Sequence, residues 1–357
     1  MIVTKLILRN FRNYERLEVR FGPKLNVIVG DNAEGKTNIV EAIHFLSLAR
    51  SFRTTETSEL IKNERQFATI EARVEEDTIH KNIVAILTPS SKKILCNKKP
   101  IKKISELSTL INVIVFEPKD ALMFSDSPLV RRNFLDVNLS KKSPVYLENL
   151  MSFDKLLKER NSLLKEEKVD ETQLSIVTSQ LIKTEETICK YRQAYINEIN
   201  NVLSKIIISI KGQKEEAHLE YYPFVKVDSD FLKNATRAYE RNKESDIKHK
   251  ITQIGIHRED MKMILNGKDI STHGSQGENR LAVIALKLSP YFLIEDRDKK
   301  PVVVLDDVMS ELDKTHQDRL LKFLEKLEQV FITSTKLNIK NASIYEVKKA
   351  NITRRNA

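Results

Sequence analysis

The chain has 357 residues, 41% of them hydrophobic, and its 60 Lys and Arg outnumber its 50 Asp and Glu to give a net charge of +10. That length and apolar content suit about two domains with buried cores, and the cation excess favours a polyanionic partner without bearing on fold. Two cysteines, Cys96 and Cys189, are too few for a disulfide framework or a metal site. The opening MIVTKLILRNFRNYERLEV lacks the apolar core of a secretory signal, and no apolar run reaches the roughly 18 residues of a membrane span, so the expectation is a cytoplasmic chain with no membrane partner.

In chain order, residues 2–9 and 16–21 alternate polar and apolar side chains as a strand pair, with Leu6 and Leu8 answered by Leu17, Val19 and Phe21. Asn26 to Val29 reads as a buried strand ending at Gly30, and Ile39, Val40, Ile43 and Leu46 set a helix behind it. Residues 65–116 read as strands and turns: QFATIEARV, NIVAIL, KILCN and then Val113 to Phe116. Within them, KKILCNKKPIKK at 92–103 holds six lysines. It suits either a solvated hairpin or an edge that contacts phosphates.

Composition changes at Ser127. Ser127-Pro128 and Ser143-Pro144 each offer a helix N-cap followed by proline at the first helical position. Apolar residues then recur at helical spacing from Leu147 to Leu164, and again from Leu174 to Ile206, with Gly212 as the stop. The second rhythm breaks at Thr184–Glu185 and at Arg192, which favours a helical arm or bundle over a long coiled coil. Residues 127–250 are therefore read as a mainly helical insertion, and residues 1–126 with 251–357 as one head. His257-Arg258, a second glycine loop, an apolar helix over 281–288 and the strand VVVLDD follow.

Of eight glycines, four fall in two loops: Gly30 and Gly35 in GDNAEGKT, Gly274 and Gly277 in GSQGENR. The first loop, G-x4-G-K-T between a strand and a helix, is a P-loop. Gly30, Asp31, Asn32, Ala33, Glu34, Gly35 and the adjoining Asn38 supply the ATP cradle. Lys36 reaches the β- and γ-phosphates, and Thr37 ligates Mg2+. VVVLDD alone also fits a capped core strand. Beside a P-loop it reads as a Walker-B strand, with Asp306 in the Mg2+ shell and Asp307 placed to orient or deprotonate the attacking water. In GSQGENR, Ser275 offers a hydroxyl, Gly277 frees the backbone, and a helix start attracts phosphate.

Together the three motifs form the set of ATP-binding-cassette (ABC) ATPases, with Ser310, Glu311, Leu312 and Asp313 at the D-loop. The chain resembles the bacterial RecF family, relatives of SMC head domains. The resemblance rests on LRNFRNYERLEVRF at 8–21, NVIVGDNAEGKTNIVEAI at 26–43, RSFRT at 50–54, RRNFLD at 131–136, KERN at 158–161, GIHRED at 255–260, GSQGENR at 274–280 and LDDVMSELD at 305–313. It implies an α/β fold: a P-loop ABC/SMC-head-like ATPase lobe with an inserted, mainly helical second lobe.

It also implies an ATP-dependent homodimer in which each P-loop faces the partner's signature loop. Ser275 would then contact ATP across the seam, and Arg12 and Asn13 would lie near the nucleotide. The implied function is an ATP-dependent DNA-binding recombination mediator with a weak, DNA-stimulated ATPase. It acts with RecR and RecO type proteins on single-stranded, double-stranded or gapped DNA, in repair, replication restart and SOS induction. The alternatives are a nucleotide-stabilised DNA-binding adaptor without ATPase cycling and a transporter ATPase. The helical insertion and the roughly 240 residues between the loops disfavour the transporter.

Three positions depart from the ABC pattern. Glu278 stands where the signature usually has Gln, Glu117 occupies the Q-loop region, and TST at 333–335 replaces a transporter's switch His. A second carboxylate near the site and the missing His both fit slow hydrolysis. Arg258 reads either as a residue near DNA or the dimer seam or as a surface strand end. Arg131-Arg132 opens a helix and needs an anion to offset the macrodipole. Arg160 and Asn161 lie beside an apolar stripe, where buried polar bonding is the commoner role.

Overall fold

The computed structural model describes residues 1–103, 106–337 and 339–355. They divide into two compact units. The first comprises Met1–Ala121, Lys205–Lys214 and Arg280–Ala357; the second comprises Leu122–Ser204 and Glu215–Asn279.

The first unit opens with β1 (Ile2–Phe11), β2 (Tyr14–Arg20), β3 (Lys24–Val29) and α1 (Lys36–Leu48). Strands β4 (Ala68–Glu76), β5 (Ile79–Leu87), β6 (Lys92–Cys96) and β7 (Lys99–Pro100) follow, then α2 (Leu107–Leu110) and β8 (Val113–Phe116). One sheet is antiparallel, in the order β2-β1-β4-β5-β6-β7. Its alternation sends Leu6 and Leu8 into the core and leaves Lys5 and Arg9 on the other face. Lys98, Lys99, Lys102 and Lys103, in and just after the short β6–β7 hairpin, are exposed, as both readings of that segment require.

The second unit contains α3 (Pro128–Lys142), α4 (Pro144–Leu163), most of α5 (Glu171–Lys211), β9 (Ala217–Tyr222), α6 (Phe231–His249), β10 (Asp260–Leu265), β11 (Lys268–Asp269) and α7 (Ile270–His273). The serine caps form as the sequence predicts: Ser127 Oγ accepts from Leu129 N and Ser143 Oγ from Tyr146 N, each at 3.2 Å. The departures from the apolar rhythm at Glu185 and Arg192 fall within α5, which runs unbroken for 41 residues. Their polar groups are absorbed by buried bonds: Arg192 Nη1 donates to Glu259 Oε2 and Nη2 to Asp136 Oδ1, both at 2.8 Å. The unit also carries an antiparallel sheet, β11-β10-β9, and extends to Asn279 rather than ending at 250. β9 needs β10 as a partner before its short HLEYY alternation becomes a strand.

Helix α8 (Gln276–Phe292) carries the chain back into the first unit, where β12 (Val302–Asp306), α9 (Lys314–Leu324), β13 (Gln329–Ser334), β14 (Ser343–Lys348) and β15 (Asn351–Arg354) complete it. The second sheet of this unit has the order β15-β14-β3-β13-β12-β8, parallel except for β15. α1 is buried almost all round and shares one apolar cluster with both sheets, including Ile39, Val40, Ile43, Leu6, Ile70 and Val304. In open parallel sheets, ligands gather beyond the carboxyl ends of the strands. Here those ends belong to β3, β13 and β12, lying side by side.

Candidate nucleotide site

β3 ends at Val29 and the chain turns at once through the P-loop. Gly30 is required by close approach, because a Cβ there would lie 2.3 Å from Val347 O. Gly35 has φ +111°, and a Cβ would meet the Asn13 amide and the Tyr14 hydroxyl at under 3.0 Å. Asp31, Asn32 and Ala33 are exposed at the crown of the loop, and Ala33 is left-handed at φ +66°. Lys36 Nζ donates to Gly30 O and Asp31 O, both at 2.8 Å, which holds the ammonium over the loop. Helix α1 starts at Lys36, so its first amides face the same space.

The second wall is the end of β12. Asp306 Oδ1 accepts Thr37 Oγ1 at 2.9 Å and Thr333 Oγ1 at 2.6 Å. Thr333 is the register partner of both Asp306 on β12 and Ile28 on β3, so β13 is the spacer that lets the P-loop and Walker-B strands share one site. Thr333 Oγ1 also accepts Asp307 N at 2.9 Å. Burial raises the Asp306 carboxyl above its ordinary range, and the bonds from Thr333 and Thr37 act against that rise. A buried carboxylate beside a threonine hydroxyl is a hard oxygen donor pair. A cation beside it would favour its charged form, so Thr37 and Asp306 fit Mg2+. Asp307 has φ +51°, and its Oδ1 accepts Ser310 Oγ at 3.2 Å, tying it to the D-loop.

The β1–β2 turn closes a third side. Arg12, itself left-handed at φ +53°, grips Glu41 bidentately, Nε to Oε2 at 2.9 Å and Nη2 to Oε1 at 2.6 Å, and gives Nη1 to Glu59 O at 2.9 Å. Asn13 Nδ2 donates to Glu34 O at 3.1 Å, and Asn13 Oδ1 accepts Asn38 Nδ2 at 2.8 Å. Arg53 Nη1 donates to Asn38 Oδ1 at 2.8 Å and lies 3.6 Å from Glu41 Oε2. Glu117 follows β8, whose Phe116 pairs with Leu305, so the register sets it beside the Walker-B end. Burial raises its carboxyl, against the Lys119 ammonium 3.0 Å away.

The signature loop lies in the second unit. Ser275 Oγ accepts Glu278 N at 3.2 Å while Glu278 Oε2 accepts Ser275 N at 3.0 Å. This is a reciprocal capping box on α8, a role that Gln at 278 would fill as well. Gly277 faces open space. In the first unit, Arg280 Nε pairs with Glu311 Oε2 and Nη1 donates to Glu311 O, both at 2.9 Å, so the end of the signature is fastened to the D-loop.

The first unit thus brings together Gly30 to Asn38, Arg12, Asn13, Asp306 and Asp307, and the second holds Ser275 and Gly277. Sequence reasoning missed Glu41, Arg53 and Thr333 as parts of this constellation. Glu41 lies one turn after Thr37, a spacing that puts both on one helix face. Arg53 falls within RSFRT, which carried a resemblance but no role.

Arg131, Arg160 and Asn161, also flagged in the sequence, make structural bonds within the second unit. Arg131 is offset by a carboxylate, Nε to Asp260 Oδ1 at 2.6 Å. Arg160 Nη1 donates to Asp246 Oδ2 at 2.8 Å and to Thr252 Oγ1 at 2.7 Å, and Asn161 Oδ1 accepts Thr252 N at 2.8 Å. His257 is partly buried, with one ring nitrogen 3.0 Å from Thr252 O, and Arg258 is exposed.

A P-loop at β3, a Walker-B pair at β12 and a serine-capped signature helix on a mixed α/β fold define the class: a P-loop ATPase of the ABC/SMC-head type. The model of the RecF/RecN/SMC N terminal domain matches residues 2–354. The chain is 36% identical to the DNA replication and repair protein RecF of Halalkalibacterium halodurans over 99% of both chains. It is 38% identical to that of Clostridium perfringens over 94% of this chain and 93% of the relative. A solved structure of the recombination mediator protein RecF with ATPrS in the RecFOR pathway superposes with a TM-score of 0.90 at 32% identity, covering 99% of this chain and 98% of the other. An Smc head domain from Pyrococcus furiosus has a TM-score of 0.58 at 16% identity, with 99% and 95% coverage, and shares the fold. The chain belongs to the RecF family.

Proposed function

We propose that this chain is an ATP-dependent DNA-binding recombination mediator, a weak ATPase that uses ATP chiefly as a dimerisation switch. The observation that carries the reading is the Thr37–Asp306–Thr333 cluster at the foot of the P-loop. The P-loop amides and Lys36 hold the phosphates, Asn13 and Asn38 brace the loop from the side, and Thr37 with Asp306 would hold Mg2+. When bound there, Mg2+ would supply charge neutralisation for the phosphates of ATP. Asp307, fixed by Thr333 and Ser310, orients the attacking water. Arg12 supports the site through Glu41.

ATP on one subunit is completed by Ser275 and Gly277 of a second copy, so nucleotide joins two chains head to tail and slow hydrolysis releases them. Glu117 and the threonine in place of a switch His favour that slow cycle. The partners in this reading are DNA and RecO and RecR type mediators, as the RecFOR name of the solved relative suggests. The setting is gap repair, replication restart and SOS induction in the cytoplasm. No described helix is long and apolar enough to cross a membrane.

The test is self-association with and without Mg-ATP, by light scattering. The native chain dimerises only with ATP. Lys36→Met loses both binding and dimers. Ser275→Trp binds ATP and stays monomeric. Dimers indifferent to nucleotide, or a Ser275→Trp protein that still dimerises, would overturn the reading.

A further inference from the structure

The outward face of the antiparallel sheet in the first unit carries cations that its own packing does not need. Arg9 on β1 stands directly opposite Arg16 on β2, and Lys5 stands opposite both Arg20 on β2 and Arg73 on β4. Like charges directly opposite on neighbouring strands destabilise a sheet. The Arg16–Arg9 row continues through Thr69 and Ile86 to Lys93 on β6. Arg9, Arg16, Arg20, Arg73 and Lys93 are all exposed. Among the described residues, their side chains form no hydrogen bond or ion pair; Lys5 is paired, to Glu18 at 2.6 Å.

The row between them runs Glu18, Ile7, Glu71, Val84, Leu95. Charge is therefore segregated into two cationic rows with an apolar and acidic row in the middle. Lys5 and Arg9 are four residues apart on β1, about 13 Å at the usual rise of a strand.

We infer that this face binds the two backbones of a DNA duplex, one cationic row on each of the phosphate ladders that flank a groove. The row spacing is on the scale of the grooves, about 6 to 12 Å wide. The middle row, which would repel phosphate, faces the groove itself. The inference rests on the DNA-binding reading above and gives it a surface. The lysines at 98–103 are the competing surface, but they follow a tight hairpin instead of two rows.

The experiment measures anisotropy of labelled duplex and of single-stranded DNA of equal length, across a salt series, with Mg-ATP present. One variant carries Arg9→Gln, Arg16→Gln, Arg73→Gln and Lys93→Gln. A control variant carries Lys98→Gln, Lys99→Gln, Lys102→Gln and Lys103→Gln. The face variant loses at least ~10-fold in duplex affinity, and its log–log salt slope shrinks by about 3 to 4, near one unit per phosphate contact. Its nucleotide binding is unchanged and its Tm is no lower than native, because opposed like charges have been removed. The hairpin variant keeps the native slope.

A face variant with native slope and affinity overturns the surface while leaving DNA binding intact. So does a loss confined to the hairpin variant, and an equal loss on single strands overturns the two-backbone arrangement. A native chain with no salt-dependent DNA binding overturns the DNA reading, and this inference falls with it.

Discussion

Thr37, the last residue of the P-loop motif, and Asp306, 269 positions later in the chain, are joined by a 2.9 Å hydrogen bond. β3, which leads into the P-loop, and β12 do not pair with each other. β13 lies between them, and its Thr333 donates to the same Asp306 oxygen. The pair is therefore a product of sheet order, and it brings the two groups best suited to a magnesium ion to one point.

Asp306→Asn should abolish the magnesium-dependent part of ATP affinity while leaving the fold intact, since the amide keeps an oxygen for Thr333. The loss expected from removing a direct ligand is at least ~100-fold, at the upper end of what second-shell changes cost. Titration calorimetry with Mg-ATP and with ATP in a chelator checks it. Asp307→Asn should bind Mg-ATP normally and slow hydrolysis by about 100-fold or more.

Glu41 is wholly buried and is the shared anion of Arg12, Arg53 and Ser51, whose Oγ donates to Oε1 at 2.5 Å. Removing one partner of a buried pair strands the other's charge, typically at a cost of about 3–5 kcal/mol. Glu41→Ala should lower stability by that order in urea unfolding. Glu41→Gln should lose less, because its amide still accepts from Arg12.

The capping box at Ser275 and Glu278 predicts a split between conservative and non-conservative changes. Glu278→Gln restores the residue usual in signature loops, still accepts from Ser275 N, and should leave Tm unchanged. Glu278→Ala frees that donor and should cost about 0.5–1 kcal/mol. Differential scanning calorimetry of the two variants reads the difference.

Stability should fall as the solution becomes alkaline. Burial raises the Glu185 carboxyl to about 8, against bonds from Ile256 N and Tyr239. Its Oε1 accepts Tyr239 Oη at 2.9 Å and Ile256 N at 3.1 Å. An acid raised in the folded state holds its proton there after the unfolded chain has released it. Its favourable contribution is therefore complete below the ordinary carboxylate range, declines as pH rises, and is lost above about 8. Urea midpoints from about pH 5 to about pH 9 should decline in the native chain and flatten in Glu185→Gln.

The local motifs were legible because each is contiguous. Gly30, Gly35, Lys36 and Thr37 are set by one loop, and the serine caps by two adjacent residues. Arg12, Glu41 and Arg53 were legible only as separate letters, because the bonds that unite them span 29 residues of chain in one case and 12 in the other. The buried polar bonds of α5 were out of reach for a related reason. Glu185 and Arg192 break an apolar rhythm in sequence, yet in space they meet Tyr239, Glu259 and Asp136, so the helix continues through them.

By itself the sequence determined the phosphate loop, the Walker-B carboxylates, the signature serine and the family, since short-range backbone geometry and residue type suffice for those. Tertiary structure alone decided that β13 stands between β3 and β12, that Thr333 takes the place beside Asp306, that Glu41 gathers the arginines, and that like charges face each other across β1. Those depend on strand order and register, which arise from long-range pairing that no local spacing encodes.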